Sequence, residues 1–490
     1  MFVTTALIAL LLGLGVYCLT KFSKASHLPP GPFNLPLVGY MPFLKPPIHA
    51  HFVQLSRKFG DIFSLNIGSY RLVVLSTLDS IRDAFKDDLL NGRPDFPFFV
   101  LRSDNKRGVI LSEGKRWHEL RRFTLRNLRD FGMGRGSIEA MVQEEVVELI
   151  RTLRADAGKP TQLASRFNVA VVNALWTITT GERFSHDDPA AMETIQQIAE
   201  LIAYLSAGNP AEFMPFLSKL GPLKRQMEKR MSKFGPMIDF VMAAIDSHRA
   251  SRVASEQSDF IDAFLDKMAN EPEAESPFSG SEGLLNLKNV LIDLFMAGTE
   301  TTSTSLLWLM LLLATHPEIQ EKVQREIDAH VPRDATPSLE HRPKLMYTEA
   351  AIRESMRFAS IVPLGVFHSA TRDTEFRGYL IPKDTILASN IYQVHHCHRH
   401  WARPDEFYPD HFVTDDGALK TPEAFIPFAA GKRVCLGESL ARMELYLFAT
   451  ALLQKFNFQL PAGQPPPSLE PVDGIVLAPK PFDVVLQLRQ

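Results

Sequence analysis

Cys435 stands in the stretch FIPFAAGKRVCLGE, residues 425–438, between Gly431 and Gly437 and just after Lys432 and Arg433. The run that follows, ESLARMELYLFATALLQKF, has helical periodicity and is expected to start near Leu436. A helix N-terminus carries partial positive charge and free N–H groups, so it stabilises a thiolate, and the two cations add to this. The flanking glycines permit close backbone approach and unusual dihedrals, as a bulky planar ligand above the loop would need. The chemistry indicated is an anionic sulfur facing something flat. Haem iron is one such partner, because an axial thiolate pushes electron density onto the metal and favours O–O cleavage. A small buried cysteine beside a helix cap is the plain alternative.

Other stretches carry groups that such a site would use. Residues 284–315, LLNLKNVLIDLFMAGTETTSTSLLWLMLLLAT, read as one long helix with poor helix formers at its middle. Gly298 is flexible, and the Thr and Ser cluster can bond back to nearby carbonyls, so a bent or opened turn is expected. Asp293 and Glu300 exclude it as a membrane span. Glu300 and Thr301 place a carboxylate beside a hydroxyl, a pair able to order water and relay protons. Glu354 and Arg357, in ESMR, fall one helical turn apart on one face. In GKRWHELRRFTLRNLRDFG, residues 114–132, Trp117 and Arg121 share one face. Lys115, Arg122, Arg126 and Arg129 form a second stripe roughly 100–140° away. One face suits a buried anion, the other an acidic partner. VHHCHRH, residues 394–400, offers four histidines and Cys397, but no second ligand cluster supports zinc.

These groups need a large scaffold, and 490 residues at 45% hydrophobic can build one. Apolar spacing is mostly helical from about 112 to 360. DIFSLNIG, RLVVLST and FRGYLIPKDTILA read as short strands, so one large α-rich domain with a minor sheet drawn from both ends is expected. ANEPEAESPFSGSEG, residues 269–283, reads as an exposed loop. A net charge of −3 gives no nucleic-acid footprint, and three cysteines are too few for a disulfide framework. Residues 2–20 are uncharged and long enough to cross a bilayer, with Lys21 and Lys24 behind them. This predicts a membrane anchor at 1–24, a Pro-rich hinge at 25–34 and a cytosolic body at 35–490.

The pattern F-x-x-G-x-R-x-C-x-G, met by Phe428, Gly431, Arg433, Cys435 and Gly437, resembles the haem-binding signature of the cytochrome P450 family. The resemblance runs from the anchor and the PPGP hinge to GIVLAPKPFDVVL at the C-terminus. FNVAVVNALWTITTGERF and RDFGMGRGSIE look most like its animal microsomal branch, clan 2. It implies the mainly helical cytochrome P450 fold with a small β region, holding heme b with Cys435 as the axial iron ligand. It implies that Glu300 and Thr301 lie over the haem, and that Trp117, Arg121, Arg433 and His368 meet its propionates. Glu354, Arg357 and His411 would brace the cysteine loop; the family commonly has Arg at the last position, and microsomal relatives often His.

The implied activity is a haem-thiolate monooxygenase that inserts one atom of O2 into a lipophilic substrate by hydroxylation or epoxidation. Electrons would come from NADPH through NADPH-cytochrome P450 reductase, with cytochrome b5 as a second donor, at the endoplasmic reticulum membrane. The outer stripe of 114–132, with Lys432, would be the docking surface. A haem-thiolate isomerase or dehydratase without a reductase, or a non-catalytic haem-thiolate sensor, are the alternatives; the former tends to lose the acid-Thr pair. By family analogy the pocket walls would hold Phe96, Phe98, Phe99, Phe213, Phe216, Phe295, Val362, Leu364, Phe367 and Val476. A terpenoid hormone, steroid, fatty acid or foreign compound would fit, and no carboxylate-binding cation is expected to dominate unless Arg102 or Lys106 does.

Overall fold

Apolar residues at three- and four-residue spacing make helices of most of the chain, and the order of those helices sets where the chemistry falls. The computed structural model describes residues 27–489 apart from 131–135, 186–192, 194, 198–199, 202–209, 216–220 and 252–257. The helices are α1 (Ile48–Phe59), α2 (Leu78–Lys86), α3 (Pro97–Arg102), α4 (Gly114–Asp130), α5 (Gly136–Ala155), α6 (Ala164–Thr180) and α7 (Pro210–Phe213). They continue with α8 (Gly221–Ser251), α9 (Phe260–Ala269), α10 (Gly280–Thr315), α11 (Pro317–His330), α12 (Met346–Ala359), α13 (Ile391–His395) and α14 (Glu438–Lys455). The expected anchor at 1–24 lies outside the described residues. Among those residues no helix is long and apolar enough to cross a membrane.

The main sheet joins distant parts of the chain. β1 (Ile62–Ile67) and β2 (Tyr70–Leu75) form a hairpin, and β2 pairs in parallel with β4 (Ile386–Ser389), Leu72 opposite Ile386. β3 (His368–Ser369) completes the four strands. This pairing brings His368 to the end of the molecule that holds Cys435. The Pro-rich segment expected to be a hinge is docked instead: Ser64 donates to the Pro30 carbonyl at 2.7 Å, and Asn66 N–H to Asn34 Oδ1 at 2.7 Å.

α10 is the axis of the core, with α6, α8, α12 and α14 packed around it. The helix assignment is unbroken across AGTETTS, against the expectation of an opened turn. Thr299 donates to the Phe295 carbonyl at 2.6 Å, Thr301 to Ala297 at 2.7 Å, Ser303 to Thr299 at 2.7 Å and Ser305 to Thr301 at 2.9 Å. The hydroxyls are thus satisfied within the helix rather than at its expense. A side chain at Gly298 would meet the end of the Leu175 side chain of α6, which would have to shift to admit it. Residues 269–283 also depart from an exposed loop. Phe278 is buried against Phe123 and Phe264, with centroids 5.1 and 5.2 Å apart, and α10 already starts at Gly280.

Candidate functional site

The cysteine loop is held by backbone bonds before any ligand is considered. Cys435 N–H donates to the Phe428 carbonyl at 3.0 Å, and Lys432 N–H to the Phe85 carbonyl at 3.1 Å. Gly431 has φ +82°, and a Cβ there would collide with that same Phe85 carbonyl, so its glycine answers to α2 and not to a planar ligand. Gly437 is the N-cap of α14 with φ −89° and open space around it, and it lines the central cavity. The helix begins at Glu438, two residues later than its apolar pattern suggests, because Gly437 caps it. Cys435 lies deep in the molecule, yet its side chain opens onto the cavity. Burial, joined by the charge of Glu438, holds its thiol above the usual range against the pull of the Gly437 and Glu438 N–H groups and of Arg121, so the helix start alone does not make it the thiolate expected from the sequence.

The brace behind this loop is stronger than its sequence spacing suggests. Arg357 makes a two-pronged pair with Glu354, at 2.8 and 2.7 Å, with both side chains fully buried. It also donates to the carbonyls of His395 (2.7 Å), Pro404 (2.8 Å) and Glu406 (2.9 Å). Glu354 accepts from Tyr408 N–H at 2.9 Å and lies 3.2 Å from His411 Nδ1. His411 Nε2 accepts from Arg403 N–H, so Nδ1 carries the proton that goes to Glu354. His395 in turn accepts the Ile426 N–H at 3.0 Å, which ties the brace to the loop entering Cys435. His396 is held by the Tyr392 carbonyl at 3.0 Å. These imidazoles are engaged in structure, and among the described residues the one grouping with metal-ligand spacing is His248, Asp259 and Asp262, elsewhere.

On the opposite side of the cavity, α10 presents Ala297, Gly298, Thr301, Thr302 and Ser305. Glu300 is half-buried beside them. Its Oε2 has no partner, and burial pushes its carboxyl up to about 7. The cavity lies between α10 and the cysteine loop, and its lining is mostly apolar.

Its third side is a cluster of cations. Arg93, Arg121 and Arg433 all line it, with Trp117 and His368. Arg433 stacks on Trp117, 4.2 Å from the ring centre, and donates to the carbonyls of Asn91 (2.9 Å) and Ser112 (2.7 Å). Arg93 donates to Ile110 (2.8 Å) and Phe367 (2.7 Å), and Arg121 to Val434 (2.6 Å). Burial, then mutual repulsion with Arg121, brings Arg433 down to about 10 despite Glu113. Arg93 is lowered for the same reasons. A group carrying two carboxylates would relieve that repulsion, so the residues present fit a haem whose propionates lie here. His368 fits least well. Burial and the neighbouring Arg93 and Arg433 hold it neutral, and its Nδ1 faces the Leu90 carbonyl at 3.3 Å, which leaves no N–H for a carboxylate.

A cysteine opening onto one cavity, with a polar helix face and an arginine cluster around it, agrees with comparison by sequence: the profile of the cytochrome P450 family matches residues 29–486. The chain belongs to the cytochrome P450 family. Cytochrome P450 2L1 of Panulirus argus is 38% identical over 483 residues, covering 97% of each chain. Human cytochrome P450 2J2 is 39% identical over 453 residues, 91% of this chain and 88% of the relative. Farnesoate epoxidase of Bombyx mori is 33% identical over 494 residues, 99% of each. This P450 is accordingly a haem-thiolate monooxygenase that carries heme b and receives electrons from NADPH through a reductase.

Within this P450 the cavity walls are not the expected aromatics. Val362 lines the cavity, with Val109, Ile110, Leu175, Leu294 and Ile361. Phe96 instead packs on Phe213 and Phe367 at 5.5 and 6.3 Å, Phe98 on Phe99 at 5.8 Å, and Phe295 on Trp176 at 5.3 Å. Leu364 and Val476 are outside the lining, and Phe216 is outside the described residues. Two functional residues escaped sequence reasoning. Arg93, in NGRPDF, has no spacing that marks it. Asp293 does more than interrupt an apolar run: it accepts the N–H groups of Val109 and Ile110, both at 2.9 Å, and pairs with buried Arg102 at 3.4 Å. Burial raises its carboxyl, against the pull of Arg102 and the two N–H groups.

Proposed function

We propose that this P450 oxidises an uncharged, lipophilic substrate at the cytosolic face of the endoplasmic reticulum, held there by residues 1–24. The observation that carries the substrate class is the neutralised pocket rim. Arg102 is committed to Asp293, and Lys106 to Asp95 at 2.6 Å and Glu113 at 3.0 Å, so neither is left for a substrate carboxylate; the cations that line the cavity among the described residues are Arg93, Arg121 and Arg433, which the haem propionates would occupy. Fatty-acid affinity lost in Arg102→Ala but present in the wild type would overturn that reading.

The roles proposed for the site residues are supported by their places around the cavity, with Glu300 beside the lining residue Thr301 and itself outside the lining. When bound, the haem supplies oxygen activation at its iron. Cys435 is the thiolate ligand, oriented by the Phe428 carbonyl and the start of α14. Arg93, Arg121 and Arg433 take the propionates, with Trp117 as the platform under Arg433. Thr301 and Glu300 hold and pass protons on the α10 side. Arg122, Arg126 and Arg129 stand exposed along α4 and, with Lys432 in its 2.7 Å surface pair with Asp88, form the docking face for NADPH-cytochrome P450 reductase and cytochrome b5. Salt weakens such docking.

Two measurements test these roles. The reduced, carbon-monoxide-bound wild type is expected to show a strongly red-shifted Soret band, and Cys435→His to lose both that band and turnover. A correctly folded, haem-loaded wild type without the band would overturn Cys435 as ligand. Near pH 7 the Glu300 carboxyl is present in both forms, which suits a proton relay. Glu300→Gln is expected to lower kcat by on the order of 10²-fold or more and to remove the bend near pH 7 from the kcat profile. An unchanged profile would remove Glu300 from the relay.

A further inference from the structure

Glu444 has no part in the roles assigned above. It lies on α14, nine residues beyond Cys435, is 3% exposed, and lines the same cavity as Cys435, Thr302 and Ser305. Its carboxyl is hydrogen-bonded to the Thr302 side chain, while its Oε1 has no partner. A buried carboxylate with an unanswered oxygen is unfavourable, so the site has affinity for a proton. α14 packs against α5, α10, α11, α12 and β5 (Phe456–Gln459). No charged group of those elements acts on Glu444, neither Glu300 of α10 nor the Glu354–Arg357 pair of α12; burial and Thr302 alone do.

Reducing a haem places an added negative charge in a low-dielectric cavity, and a negative charge raises the proton affinity of a nearby carboxylate. We propose that Glu444 is a redox-linked proton site, taking up a proton from solvent when the haem accepts an electron and returning it on reoxidation. One electron enters at the iron, one proton converts the carboxylate to the acid, and the net charge around the cavity is unchanged. The inference rests on the haem-thiolate reading above. Burial pushes the Glu444 carboxyl up to about 8. The linkage is therefore read most clearly above pH 8, where the oxidised protein holds it as carboxylate.

The test is reduced-minus-oxidised infrared difference spectroscopy of the haem-loaded, full-length protein at pH 9, with the reduced carbon monoxide spectrum recorded on each sample. The wild type is expected to gain a protonated-carboxyl band on reduction that is absent in Glu444→Gln and kept in Glu300→Gln. Its midpoint potential should fall with pH in that range, approaching a tenfold change in the reduction equilibrium per unit, about 59 mV for one electron, and Glu444→Gln should be nearly flat. A missing band in a wild type with an intact red-shifted Soret would overturn the proposal and leave the thiolate ligand standing. A band that persists in Glu444→Gln would overturn it as well. Should Glu444→Gln fail to take up haem, Thr302→Val decides. Losing the Thr302 hydroxyl must move the band and shift the window to higher pH, and an unmoved band would assign the proton elsewhere.

Discussion

Arg357→Ala is expected to destabilise this P450 by about 3–5 kcal/mol and to leave it unable to retain haem. The size follows from what the side chain is bonded to. Its removal strands Glu354 as an unpaired charge with no solvent exposure, and orphans the buried carbonyls of His395 and Pro404 and the part-buried one of Glu406. Stranding a buried charge is what makes such truncations costly, and total stabilities are only about 5–15 kcal/mol. Arg357→Lys should recover little, because a single ammonium cannot reproduce a two-pronged pair plus three carbonyl bonds. The deciding sample is a double variant, Glu354→Met with Arg357→Leu. If the pair only neutralised itself, removing both charges would restore stability. Since Arg357 also supports three carbonyls, and His395 passes that support to Ile426, the double variant should stay destabilised and haem-poor. Thermal unfolding and the ratio of Soret to protein absorbance after gel filtration would show it. Full recovery would demote the brace to an isolated ion pair.

That same pair shows how far the sequence alone could be read. Three-residue spacing establishes that Glu354 and Arg357 share a helix face, but the spacing is the same on a surface, where it contributes a few tenths of a kcal/mol. Burial is a tertiary property, and here it changes the energy scale. The cysteine loop was legible because its pattern is local: Phe428, Gly431 and Gly437 lie within seven residues of Cys435, although the contact of Gly431 and Lys432 with Phe85 of α2 was not. Arg93 was not, since its role comes from meeting Arg433 across more than three hundred residues of chain. Three of the four strands of the mixed sheet were legible, His368–Ser369 excepted, as was its assembly from both ends of the body. The long helix was placed correctly, but its expected opening failed because back-bonded hydroxyls keep the ladder intact. Aromatic walls were misplaced for a related reason. An apolar ring satisfies a core and a pocket equally well, and Phe96, Phe98 and Phe295 are used as core.

Asp293→Ala is the second large effect, expected to cost about 3–5 kcal/mol and to loosen both the substrate wall and the arginine cluster. The segment from Ser103 to Ser112 turns through Asp104, Asn105 and Lys106 at φ +48°, +68° and +61°, a conformation that non-glycine residues hold only when it is tied down. Several ties run to α10: Lys288 to Asp104 at 2.6 Å, Asn289 to Asp104 at 2.7 Å, Arg107 to Glu282 at 2.6 Å, and Asp293 to the N–H groups of Val109 and Ile110. Of the α10 carboxylates in these ties Asp293 is the buried one, and it also carries the charge of Arg102. The carbonyls of Ile110 and Ser112 on the same segment accept from Arg93 and Arg433. Releasing Val109 and Ile110 should therefore relax the wall facing the substrate and, one bond further, the residues that hold the propionates. Asp293→Asn separates the two functions of the carboxylate, since an amide oxygen still accepts from the backbone but leaves Arg102 unpaired. If Asn keeps product regiochemistry while losing stability, and Ala loses both, the backbone bonds set the wall and the ion pair sets the fold. If Ala leaves product distribution and haem retention unchanged, the segment is held without Asp293, and the coupling between substrate wall and arginine cluster does not exist.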